Sequence, residues 1–151
     1  MTNKKTQHMP SDSTPLQEKF INYIMLHGKK SIARRIFKDV MSEVEKKGHK
    51  DPKAIFEKAI ENIKPSMEVR PKRIGGAVYQ IPIEVKPKRR IMLSFRWMLA
   101  AARKEKGSPV ATRIARQILE ASDGIGTAVK KKEDTHKMAA ANKAFAHYAR
   151  Y

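Results

Sequence analysis

Arg89, Arg96 and Arg103 recur every seven residues. On an α-helix that spacing drifts only about 20° per step, so the three guanidinium groups would form one stripe. A denser group precedes it: Arg70, Lys72, Arg73, Lys86, Lys88, Arg89 and Arg90 fall in a span whose only acid is Glu84. A third, Lys130, Lys131 and Lys132, leads into a segment where Lys132, His136, Lys143, His147 and Arg150 would share a helical face. Lys29 and Lys30 sit between Gly28 and Ser31, at an expected helix start whose free backbone N–H groups also suit a phosphate. The chemistry on offer is anion recognition. Arginine's planar fork matches phosphate and base edges, and lysine adds field. A single Lys run is most often a solvated face. Three separate placements in a chain of net charge +18 point instead to nucleic acid.

Nothing in the sequence competes with that reading through catalysis. The five histidines form no HxxxH pair, and with no Cys there is neither a thiolate metal site nor a disulfide nor a Cys nucleophile. Gly75-Gly76 lacks the other positions of a P-loop or dinucleotide fingerprint, and no GxSxG occurs. The expectation is a non-enzyme with no metal, no cofactor and no small-molecule substrate. No apolar run approaches the roughly 18 residues of a membrane span, and Met1–Lys19 has no signal-peptide core, so a soluble, unsecreted protein without a membrane partner is expected.

The elements that must position these cations are mainly helical, and 151 residues suit one domain. Residues 1–13 are polar and unpatterned and read as a flexible arm, leaving 14–151 as the folded, RNA-binding part. Thr14, Pro15 and Gln17 form a capping box with a first-turn proline, and the first helix should stop at Gly28. Ser31 is expected to cap a second helix, with Ala33, Ile36, Phe37, Val40, Met41 and Val44 inward and Gly48 closing it. Asp51-Pro52 opens a third helix that ends before Pro65. A fourth runs from Arg90 to about Glu105 with Ile91, Phe95, Met98, Leu99 and Ala102 inward. A fifth begins at Ser108-Pro109, and a sixth spans about Lys131–Ala146 with Met138, Ala141 and Phe145 on its apolar side.

Between the third and fourth helices, at about 67–86, the period changes to 2 and predicts a protruding β-hairpin. Alternation favours a three-residue loop, Ile74-Gly75-Gly76, that puts Met67, Val69, Pro71, Tyr79, Ile81 and Ile83 on one face and Arg70, Lys72, Gln80 and Glu84 on the other. Pro71 and Pro82 make both strands edge-like, so no third strand should join. The fold class is thus a mainly α, single-domain bundle of about six helices with one hairpin.

Val69–Lys86, reading VRPKRIGGAVYQIPIEVK, with Arg89-Arg90 and Phe95-Arg96-Trp97 after it, resembles the hairpin and fourth helix of the small-subunit ribosomal protein seven family, bacterial and organellar type. GTAVKKKEDTHKMAAANKAFAHY, Gly126–Tyr148, is similar to that family's closing signature. HGKKS at His27–Ser31 and ENIKP at Glu61–Pro65 extend the likeness over nearly everything from Leu16 onward. Ala140 departs from it, standing where relatives commonly carry a glutamate.

The resemblance implies a helical bundle bound to the 3′ domain of small-subunit rRNA. There it would nucleate head assembly beside neighbouring head proteins, close to the exit-site tRNA and the mRNA. It implies a place in the ribosome of a bacterial cytoplasm or, organelle-encoded, of a mitochondrial matrix. By motif position it carries rRNA contact to Lys29, Lys30, Arg70, Lys72, Arg73, Arg89, Arg90, Arg96 and Lys130–Lys132. Charge placement adds Lys86, Lys88, Arg103, His136 and Lys143. The hairpin tip, Arg73, Ile74, Gly75 and Gly76, would lie nearest tRNA. The reading from another class is an architectural DNA-bending protein, since a basic hairpin with a proline in each strand also suits a minor groove.

Overall fold

The computed structural model describes residues 10–150. The arm expected over 1–13 therefore lies largely outside the described residues. Its last part, 10–13, forms a turn in which Ser13 N–H donates to the Pro10 carbonyl, and Lys53 Nζ reaches the Asp12 carbonyl at 2.7 Å.

Helix α1 (Pro15–Ile24) starts at the expected cap: Thr14 Oγ1 accepts from Gln17 N–H, and the Gln17 side chain accepts from Thr14 N–H. It ends four residues before Gly28, which instead turns the chain with a φ of +72°. Helix α2 (Lys30–Lys46) begins two residues earlier than a Ser31 cap would have it, so Ser31 is inside it and does not cap it. Helix α3 (Pro52–Ile63) is capped by Asp51, whose carboxylate accepts from Ala54 N–H. Strands β1 (Met67–Ile74) and β2 (Ala77–Glu84) follow, then α4 (Pro87–Lys104), α5 (Val110–Ser122), α6 (Thr127–Ala141) and a 3₁₀ run, Lys143–Arg150.

Two further helix starts move relative to the sequence reading. α4 begins at Pro87, three residues before Arg90, because a proline's fixed φ suits the first helical position. α6 begins at Thr127 and gives way to the 3₁₀ run after Ala141. Its inward residues are Ala128, Val129 and Ala139, whereas Met138 and Ala141 are exposed, so the apolar face expected for this helix is corrected. The 3₁₀ run carries the cations after Ala141 off the expected helical face.

Helices α1 to α5 enclose one core that α6 completes through Ala128 and Val129. Phe20 lies at its centre, with ring centroids 5.1 Å from both Phe56 and Phe95 and 5.9 Å from Phe37. The edge-on and tilted contacts among these rings suit their quadrupoles. The stripes expected on α2 to α5 point inward, with Ile36, Met41 and Ile91 at the margin.

The hairpin is two-stranded and antiparallel, as expected, but its register is not the expected one. Ile74 pairs with Ala77 across a two-residue Gly75-Gly76 turn, where φ is +57° and +86°. That is the left-handed geometry favoured in tight hairpins, and glycine adopts it freely. Arg70 and Lys72 consequently share a face with Tyr79 and Ile81. Antiparallel pairs alternate between hydrogen-bonded and not. Counting from the turn, Pro71 and Pro82 fall in the pairs that need no ladder N–H, while the three-residue loop would have placed Pro71 where one is required.

Candidate nucleic-acid interface

The hairpin root is built around Glu68, which is 7 % exposed in a chain of excess positive charge. Arg89, in the first turn of α4, donates from Nε to Oε1 at 2.8 Å and from its terminal nitrogen to Oε2 at 3.0 Å. Arg70 adds a 3.2 Å bond along the strand. Burial alone would raise the Glu68 carboxyl, but the Arg89 bonds and the two positive charges outweigh it and hold the group below its ordinary value. Arg89 is raised in turn by its bond to Glu68. Its neighbour Arg90 donates to the Val85 carbonyl at 2.8 Å, tying strand end to helix start.

Several other candidate cations also face their own protein. Lys72 Nζ donates to the Tyr148 carbonyl at 2.9 Å, where the Tyr79, Phe145 and Tyr148 rings stack. Lys132 Nζ donates to the Asn62 carbonyl at 3.0 Å, and Asn62 Nδ2 donates to the Ala121 carbonyl at 2.8 Å, linking α6, α3 and α5. His136 Nε2 accepts from Ser66 N–H at 3.0 Å, just before β1. That bond requires an unprotonated Nε2, and burial followed by the Lys132 charge lowers this histidine's pKa. Arg103 approaches the carbonyls of Tyr23 and Ile24 at 3.5 and 3.4 Å, at the end of α1. The α4 stripe is thus divided, with Arg89 and Arg103 engaged at its ends and Arg96 exposed between them.

What remains outward is a narrower set. Lys29, Arg73, Lys86, Lys88, Arg96, Lys130, Lys131 and Lys143 are exposed and, among the described residues, their side chains make no ion pair or hydrogen bond. Lys30 is half-buried. The eighteen residues of α4 span about 27 Å, and Arg103 sets their far end beside the end of α1, five residues before Lys29 in the chain. At the near end, α6 packs on both strands and on α4, and the 3₁₀ run packs on β2. The hairpin tip at Arg73, Gly75, Gly76 and Val78 stands clear, with Ile74 half-buried.

The sequence reading missed Glu68, Glu18 and Gln17 as buried polar groups. Glu18 Oε1 and Oε2 accept from Arg34 at 2.6 and 3.2 Å, and Oε1 also accepts from Ser13 Oγ. Alternation puts Glu68 in step with Arg70 and Lys72 rather than with Met67 and Val69, so the sequence carries no signal that marks it as buried. Among the described residues, no cluster of three or more His, Asp or Glu side chains could hold a metal ion, and no helix is long and apolar enough to cross a membrane.

A basic ridge on a helical body fits several nucleic-acid-binding families, and comparison with known proteins decides between them. The family described as ribosomal protein S7p/S5e matches residues 1–143. The chain belongs to that family. It is 48 % identical over 139 residues to small ribosomal subunit protein uS7 of Alkalilimnicola ehrlichii, covering 92 % of this chain and 89 % of the relative. It is 52 % identical over 130 residues to uS7 of Nitrosococcus oceani, covering 86 % and 83 %. Against uS7 of Pseudothermotoga lettingae it is 51 % identical over 138 residues, covering 91 % and 89 %. Membership of S7p/S5e makes this a ribosomal protein of a structural, non-enzymatic family.

Proposed function

We propose that the chain works as a structural constituent of the small ribosomal subunit and a primary rRNA-binding protein: it binds the 3′ domain of the rRNA and nucleates assembly of the head. The observation that carries this is the ridge of outward cations on elements that pack together, Arg73 on the hairpin, Lys86, Lys88 and Arg96 at the start and on the face of α4, and Lys130 and Lys131 on α6, with Lys29 and Lys143 exposed as well. A ridge of that kind neutralises phosphates and recognises the shape of A-form helices, whose deep grooves side chains read poorly. Arg70, Lys72, Arg89, Arg90, Arg103, Lys132 and His136 contribute by fixing the hairpin and helices, with their remaining donors available at the edge of the RNA. The exposed tip would lie near exit-site tRNA and mRNA, and the partners would include neighbouring head proteins. The protein would act in a ribosome of bacterial or organellar type.

The test is competition for the chain between a structured rRNA junction of the 3′ domain and duplex DNA of equal length, at physiological salt. The junction should win, and equal or tighter DNA binding refutes the proposal. Replacing Lys86, Lys88 and Arg96 together by Gln should reduce the salt slope of rRNA binding by about one unit for each phosphate that is no longer neutralised. An unchanged slope would show that the ridge faces water.

A further inference from the structure

A cavity of about 650 Å³ lies between α1, the first turns of α2 and Lys53 of α3, roofed by the turn at 10–13. It is away from the cations of the hairpin, α4 and α6, since the neighbours of α2 are α1, α3 and α5, and of the outward cations only Lys29 adjoins it in the chain, two residues before Ser31. Ile21, Phe37 and Met41 line it with apolar surface, and Arg35, Lys38 and Lys53 bring positive charge to it. Arg34 also lines it, but Glu18 answers its charge at 2.6 Å, and the carboxylate on the wall is Asp12. Gln17, only 3 % exposed, lines the same cavity. Its oxygen accepts from Thr14 N–H, while its Nε2 has no partner among the described residues.

We infer that this cavity receives a single unpaired nucleotide of RNA, with the base against Ile21, Phe37 and Met41 and the adjoining phosphates against Arg35, Lys38 and Lys53. The inference rests on the reading of the chain as an RNA-binding protein and adds a second contact to it. Three features select the occupant. The net positive rim calls for an anion. The apolar lining calls for a body that aspartate and glutamate side chains lack and a nucleobase supplies. The unsatisfied amide of Gln17 calls for an acceptor, which a base carbonyl such as that of uracil offers. The volume lies in the range of small-molecule sites, ample for one base with its sugar.

The experiment follows the side-chain methyl signals of Ile21 and Met41 by NMR in the full chain while pentauridylate, a twelve-base-pair RNA duplex or hexaglutamate is added. Reading those methyls separates this cavity from the ridge, which also attracts an RNA strand. Pentauridylate should move both methyls in a saturable way, and the duplex and hexaglutamate should move them less. In the double variant Arg35→Gln, Lys38→Gln the affinity read at Met41 should fall, and its salt slope by about 1.4, the single-strand value for two phosphates. Gln17→Glu keeps a capping-box acceptor for Thr14 N–H and removes the donor, so it should weaken the same titration without unfolding the helix. Pentauridylate binding that leaves both methyls still, or equal response to hexaglutamate, overturns the inference. So does an unaltered titration in Gln17→Glu. Loss of junction binding by the wild-type chain would instead overturn the proposed function, because that contact is made by the ridge.

Discussion

Replacing Glu68 by Gln tests how far the hairpin root depends on one carboxylate. Gln has nearly the same shape, so the change removes charge and little packing. Removing one partner of a fully buried ion pair costs about 3–5 kcal/mol. Here Arg89 keeps 35 % of its side chain exposed and Arg70 keeps 58 %, so water compensates both once the carboxylate is gone. The discounted cost is about 2 kcal/mol at pH 7. For a chain of this length that shifts Tm by roughly 4–8 °C. The acid limb gives the sharper check. Glu68 has a folded value below its ordinary 4.5. Its contribution is therefore fully present above about 4.5 and is lost as pH falls through the folded value. Urea unfolding of both proteins from pH 7 to pH 3 should show the gap closing as the wild-type carboxyl protonates. A gap that stays constant with pH would refute the charge argument and leave only shape.

Other substitutions report on other joints. Gly126 caps α6 with a φ of +100° and ψ of 173°, and an added Cβ would lie 3.0 Å from Glu120 Cβ, so Gly126→Ala should cost about 2–3 kcal/mol in urea unfolding. His136 should titrate below 6.5 by NMR. Because its folded value is depressed, the stability it contributes is present above about 6.5 and is lost as pH falls through the folded value, and His136→Ala should flatten stability across that window.

The body of the fold was legible because α2 to α5 carry regular stripes of period 3.6, and Thr14, Asp51 and Gly48 punctuate them where capping chemistry requires. The hairpin was visible as a change of period, but its register was not. Alternation of polarity suggested two faces of different character, whereas the proline positions and the Gly75-Gly76 turn decide the pairing. Charge on the Tyr79 face is tolerated because Arg70 and Lys72 find oxygens at Glu68 and Tyr148, partners far apart in sequence for Lys72. The end of α6 failed for a related reason. An Ala-rich stretch has no strong preferred face, and the structure turns Ala139 inward where the spacing points to Met138.

For the candidate interface, the sequence located the cations but could not sort them. Arg89 and Arg96 look equivalent on a helical wheel. One meets a carboxylate twenty-one positions earlier and the other meets water. Separating them needed the hairpin's path, which brings Glu68 to the first turn of α4.

The Lys72 bond to the Tyr148 carbonyl spans 76 positions. During synthesis the two strands leave the ribosome before the segment that closes over Tyr79, so until then the arm is held only at its root, by Arg89, Arg90 and α6. An RNA that engages the body at that stage would meet an arm fixed at its root alone. One that arrives after Phe145 and Tyr148 have closed over Tyr79 would meet an arm already aimed. The timing of translation against assembly thus decides how much of the fit the protein brings and how much the RNA must impose.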